Sequence, residues 1–136
     1  MIKYEYKLDF EVRDYECDVQ GVVNNAVYQN YLEVTRNKWL YDKMGLKYSQ
    51  MTSNKQYLFV ARIEIDYKYP LRMDDRFWVG GIVRRTSNVK LNAIQDIYKY
   101  DDNLQILKAK LAIVGVTDDG RFGLPKNIIE RIPLSK

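Results

Sequence analysis

Residues 25–44 read Asn-Ala-Val-Tyr-Gln-Asn-Tyr-Leu-Glu-Val-Thr-Arg-Asn-Lys-Trp-Leu-Tyr-Asp-Lys-Met, and Gly45 follows. Val27, Tyr28, Tyr31, Leu32, Thr35, Trp39 and Leu40 recur at three- and four-residue steps. That spacing gives a helix one wide apolar face. Asn24 or Asn25 can open it, because a short amide oxygen accepts a free N–H of the first turn. Gly45 supplies the left-handed residue that ends a helix. At its ordinary rise such a helix is roughly 30 Å long.

The rest of the chain reads as strand. Ile2, Tyr4, Tyr6, Leu8, Phe10 and Val12 alternate with Lys3, Glu5, Lys7, Asp9, Glu11 and Arg13, the period of a strand with one wet face. After a polar loop from Tyr48 to Gln56, alternation resumes at Phe59 and runs through Ala61, Ile63, Ile65, Tyr67 and Tyr69 until Pro70 stops it. Phe77 to Arg85 makes a further strand, with Gly80 and Gly81 suggesting a bend or bulge. Val89 to Tyr100 and Leu104 to Val116 follow, separated by the turns Thr86-Ser87-Asn88 and Asp101-Asp102-Asn103. Asp118-Asp119-Gly120 closes the last strand, and Pro125 to Ile132 reads as a short helix with proline in its first turn. One strand, one long helix and four strands in succession predict an α+β domain with an antiparallel sheet covering the helix. No linker or repeat interrupts residues 1–136, so a single domain is expected.

Composition narrows the chemistry. Net charge is +4, and acids interleave with bases. Nucleic-acid binding wants a basic stripe, and none is present. Histidine is absent, which excludes Ser-His-Asp and Cys-His catalysis within the chain. One cysteine, Cys17, cannot make an internal disulfide or a zinc site, so neither metal nor redox cofactor is implied. Without a histidine to activate it, Cys17 reads as a packed thiol. Met1 to Arg13 lacks the continuous apolar core of a signal peptide, no stretch is long and apolar enough for a membrane span, and a reducing cytoplasm is the expected compartment.

Chemistry is expected in the loop before the helix, Tyr15-Glu16-Cys17-Asp18-Val19-Gln20-Gly21. The first N–H groups of a helix have no internal partners and carry partial positive charge, so they suit the oxyanion formed when a carbonyl is attacked. A carboxylate beside them can attack the carbonyl or deprotonate a water. On spacing alone the plainer reading of Asp18, a turn cap, outweighs the catalytic one.

Residues Tyr15 through Glu33 resemble the opening signature of the 4-hydroxybenzoyl-CoA thioesterase-like hotdog family: an aspartate (Asp18), two variable positions, a glycine (Gly21), two apolar residues (Val22, Val23), then a helix with paired tyrosines (Tyr28, Tyr31) and a glutamate (Glu33). The resemblance continues in Ile65-Asp66-Tyr67-Lys68-Tyr69-Pro70, in Asp74-Asp75, in Gly120-Arg121 and in Leu124-Pro125. It implies a five-stranded antiparallel sheet wrapped around the helix, homodimers or homotetramers with sites at the dimer interface, and an acyl-CoA substrate. Matched by position, Asp18 stands as catalytic aspartate, the N–H of Asn25 as oxyanion donor and Gly21 as turn glycine, with Glu33 as a secondary carboxylate. Many bacterial members carry histidine where this chain has Asn25; the Asn24-Asn25-x-x-Tyr28 arrangement resembles some acyl-carrier-protein thioesterases, so both carriers stand.

Val22, Asn24, Tyr28 and Tyr31 are expected to contact substrate. Arg62, Arg84, Arg85 and Lys90 are candidates for carrier phosphates. A hotdog dehydratase, which would pair a histidine with a carboxylate, fits less well. A regulator that binds acyl thioesters without turnover is the non-enzyme alternative.

Overall fold

The computed structural model describes residues 2–135. In chain order the elements are β1 (Tyr6–Glu11), a 3-10 turn (Asp14–Glu16), α1 (Asn25–Met44), α2 (Tyr48–Ser53), β2 (Tyr57–Tyr67), β3 (Arg76–Arg85), β4 (Lys90–Lys99), β5 (Gln105–Val116) and α3 (Lys126–Arg131). The strands form one five-stranded antiparallel sheet in the order β1-β3-β4-β5-β2. With the 20-residue α1 this is the hotdog arrangement expected above. Among the described residues no helix is long and apolar enough to cross a membrane.

Packing divides the chain into two compact units. The first holds the segments up to Arg36, Ile65–Ile82 and Gln95–Ala109. The buried face of α1 here is Tyr28, Tyr31 and Leu32, and Phe77, Val79, Ile97 and Leu107 lie in the same core. Phe10 stacks on Phe77 with ring centroids 5.2 Å apart, and Tyr31 meets Phe77 edge-on at 4.7 Å. Phe77, fully buried, contributes roughly 1.5–3 kcal/mol. Gln95 and Asp96, neighbours in this core, have no exposed surface. The Gln95 amide donates to the Leu32 carbonyl at 3.0 Å and accepts from the Arg36 guanidinium at 3.0 Å, so its burial leaves nothing unpaired and ties α1 to β4.

Gly80 and Gly81 make no bulge against β1. β1 and β3 pair in unbroken register, Lys7 with Gly80 and Tyr6 with Gly81. The glycines instead make room for aromatic rings. A Cβ on Gly80 would lie 2.7 Å from the rings of Tyr4 and Trp78, and one on Gly81 would lie 2.1 Å from the Tyr6 ring.

The second unit holds Asn37–Glu64, Val83–Ile94 and the chain from Lys110 onward. Leu40, Met44, Met51, Leu91, Leu111, Ile113 and Ile128 are buried in it. At the end of α1, Gly45 takes φ 66° and donates to the Tyr41 carbonyl at 3.0 Å. The expected polar loop at 48–56 is partly helix, because Tyr48–Ser53 form α2 around the buried Met51. Six residues with a single apolar anchor carry too little periodicity to be read as helix from sequence.

Candidate active site

Local hydrogen bonds build the loop ahead of α1. The Glu16 carboxylate accepts the Arg13 N–H at 2.7 Å and the Tyr31 hydroxyl at 2.9 Å, which pins the 3-10 turn to the helix. Residues 18–21 then make a tight turn. The Gly21 N–H donates to the Asp18 carbonyl at 3.0 Å, and the Asp18 N–H donates to the Val22 carbonyl at 2.9 Å. Gly21 has φ 78°, a backbone conformation costly to a residue with a Cβ. The Asp18 Oδ1 accepts the Gln20 N–H at 2.8 Å and lies 3.5 Å from the Val22 nitrogen. Asp18 is exposed on this turn, and Val19 beside it is fully exposed.

Asn24 is the residue that caps α1. Its Oδ1 accepts the Ala26 N–H at 3.0 Å, its carbonyl accepts the Val27 N–H at 2.9 Å, and its own N–H donates to the Glu16 carbonyl at 3.1 Å. Asn25 is the first helical residue, and among the described residues its N–H meets no acceptor. That open donor stands at the positive end of a 20-residue helix.

A cleft of about 220 Å³ lies here, with Val22, Asn25 and Tyr28 on its wall together with Tyr67, Lys68 and Tyr69. Tyr67, Lys68 and Tyr69 are not among the site residues expected above, although they lie in the Ile65–Pro70 segment that carries part of the family resemblance. The Tyr67 hydroxyl donates to the Asn25 carbonyl at 3.3 Å, and its ring meets Tyr28 edge-on at 5.6 Å. Tyr28 is buried, and its hydroxyl accepts the Leu71 N–H at 2.9 Å. Burial raises the Tyr28 phenol above its ordinary value. Tyr31 is buried in the core rather than placed on this cleft, and burial together with the Glu16 bond raises its phenol strongly. Glu33 lies on the exposed side of α1, away from the cleft wall.

Of the four expected phosphate partners, Arg62 and Lys90 share a second cleft of about 360 Å³ with Lys110 and Asn92. Glu64 lines it too and forms an ion pair with Arg62. Arg84 is exposed and donates to the Val83 carbonyl at 2.9 Å. Arg85 corrects the expectation. It is buried, and its guanidinium donates to the Ile132 carbonyl at 2.5 Å, the Asn88 side chain at 2.8 Å and the Ser87 carbonyl at 3.3 Å. An arginine bonded to three internal acceptors anchors the C-terminal segment, and at 6% exposure it offers little surface to a phosphate.

Burial and the flanking Glu16 and Asp18 carboxylates raise the Cys17 thiol, opposite to what an activated nucleophile needs. Among the described residues no cluster of three or more His, Cys, Asp or Glu could hold a metal ion.

Residues 12–132 match the model of the thioesterase-like superfamily. Two chloroplastic acyl-acyl carrier protein thioesterases of Arabidopsis thaliana are 32% and 34% identical over 105 residues, which is 77% of this chain. The chain spans only 55% of the length of each of these relatives. A 1,4-dihydroxy-2-naphthoyl-CoA thioesterase from Synechocystis superposes with a TM-score of 0.85 at 18% identity, over 93% of this chain and 94% of that one.

Proposed function

Because the chain belongs to the thioesterase-like superfamily, we propose that it hydrolyses an acyl thioester to a free acid and a thiol. Asp18 acts as nucleophile or general base, and the Asn25 N–H receives the oxyanion. The observation that carries this reading is the open Asn25 N–H at the start of α1, on the wall of a cleft whose neighbouring residue Val22 belongs to the Asp18 turn. A donor held by a helix needs no reorganisation as charge develops on the carbonyl oxygen. Asn24 contributes by capping, since its side chain and carbonyl hold the first turn in place.

The thiol carrier is coenzyme A or acyl carrier protein. The Arabidopsis relatives act on acyl carrier protein by name, and the Synechocystis protein acts on a CoA ester by name. Both carriers present a phosphate, and the cleft holding Arg62, Lys90 and Lys110 offers cations to it. The working unit is a homo-oligomer. Support comes from the exposure of Asp18, which a second copy would cover, and from the unpaired outer edge of β2, where Phe59 and Val60 are 53% and 41% exposed.

The test is a turnover screen across short, long and aromatic acyl-CoAs, with acyl carrier protein thioesters included. Release of free thiol from one of them is the expected result. Tight binding of acyl thioesters with no turnover would assign the chain to carriage or regulation instead.

A further inference from the structure

We infer that the Tyr28 hydroxyl is a second hydrogen-bond donor to the thioester carbonyl oxygen, acting beside the Asn25 N–H. This rests on the hydrolase reading above and adds a catalytic residue to it. Asn25 and Tyr28 are three residues apart on α1, so they project from the same side of the helix. Both line the cleft of about 220 Å³.

The Tyr28 side chain is held by two neighbouring rings and one hydrogen bond. Tyr28 is only 2% exposed, and its ring sits edge-on to Tyr31 at 6.1 Å and to Tyr67 at 5.6 Å. The oxygen accepts the Leu71 N–H at 2.9 Å. That bond uses a lone pair and leaves the hydroxyl proton, for which no acceptor stands among the described residues. A tyrosine hydroxyl is both donor and acceptor, so its donor is left to a ligand. Accepting one bond also polarises it toward donating another.

The chemistry fits a chain without histidine. Burial holds the Tyr28 phenol above its ordinary value, so it remains an O–H donor across the neutral range. It therefore donates a hydrogen bond and keeps its proton. In the general-base route, water adds to the carbonyl carbon as its proton passes to the Asp18 carboxylate. The carbonyl π electrons move to the oxygen facing Asn25 and Tyr28. Collapse then reforms the C=O, breaks the C–S bond, and the proton on Asp18 goes to the thiolate. In the nucleophilic route Asp18 adds in place of water, the thiolate leaves, and water cleaves the anhydride. Tyr28 serves the same oxygen in both.

Two variants test this with the full-length protein and a thioester that the native protein turns over. Tyr28→Phe should lower kcat by about 100-fold or more, the usual loss for one oxyanion donor, with KM little changed. That change also strips the Leu71 N–H of its acceptor, so thermal melting is measured alongside. The second variant carries a difluorotyrosine at position 28 by site-directed incorporation. It keeps the acceptor oxygen but ionises at lower pH. Its kcat should fall on the alkaline side at a correspondingly lower pH than in the native protein, a readout that packing alone would not move. A native pH profile for the fluorinated protein, or near-native kcat for Tyr28→Phe, overturns the inference. If those variants are normal while Asp18→Asn is inactive, the hydrolase reading survives without Tyr28. If the native protein turns over no thioester, both fall together.

Discussion

The Tyr4 hydroxyl lies 2.5 Å from a carboxylate oxygen of Asp96, a β4 residue with no exposed surface. The other carboxylate oxygen, Oδ1, is buried with no hydrogen-bond partner among the described residues. Tyr4 crosses over Gly80 and packs edge-on to Trp78 at 5.5 Å, so the chain before β1 roofs the acid. Burial raises the Asp96 carboxyl, against the opposing pull of the Tyr4 bond, of Lys108, of the Ala109 backbone N–H and of Lys68. A carboxyl raised on folding holds its proton longer in the folded state than in the unfolded chain. Its contribution is therefore most favourable at low pH and is lost as pH rises through the raised folded value. We expect Asp96→Asn to flatten the dependence of melting temperature on pH in the mildly acidic range. Parallel melting curves for native and variant proteins from acid to neutral pH would show that Asp96 titrates normally.

Gly115 and Gly81 should differ in their tolerance of alanine. A Cβ on Gly115 would lie 2.2 Å from the Gly123 carbonyl, backbone that is itself bonded through the Gly123 N–H to the Gly115 carbonyl at 2.8 Å. A Cβ on Gly81 meets the far end of the Tyr6 ring, a side chain rather than backbone. Overpacking costs about 1–3 kcal/mol where neighbours can shift and more where they cannot. Urea unfolding should place Gly115→Ala well below Gly81→Ala, and the reverse order would refute the packing argument.

Asp18→Asn separates catalysis from turn formation. The amide oxygen can still accept the Gln20 N–H that the Asp18 carboxylate accepts now at 2.8 Å, so the turn and the fold should survive. Loss of a base or nucleophile should lower turnover by about 100-fold or more. A well-folded variant with near-native turnover would move attention to Glu33, the remaining carboxylate named on α1.

The outer edge of β2 should be an interface. It pairs with β5 on one side only, and Phe59 and Val60 are both exposed. Sedimentation of the native protein at micromolar concentration should give an oligomer, and Phe59→Lys combined with Val60→Lys should shift it toward monomer. A native protein that sediments as a monomer would defeat the proposal.

Much of this molecule is local and was therefore legible. The limits of α1, its apolar face, the left-handed Gly45 and the turns between strands depend on residues within a few positions of one another. The Asp18–Gly21 turn and the asparagine cap belong to the same class, and the sequence narrowed the cap to Asn24 or Asn25. Contacts between residues far apart in the chain were decided only by the tertiary structure. Arg85 looks like a surface cation in sequence, yet Ile132 lies 47 residues away and supplies the carbonyl that claims it. Gly80 and Gly81 look like a bulge until the rings of Tyr4 and Tyr6 cover them. Tyr28 reads in sequence as an apolar helix position and a substrate contact, but only the fold brings Leu71, 43 residues on, to bond its hydroxyl oxygen and leave the proton unspent. Period and propensity report which way a side chain points along its own element. Which polar atom it meets there depends on strands and loops that arrive from elsewhere, and that meeting decides whether a charge or hydroxyl is spent on the fold or left for chemistry.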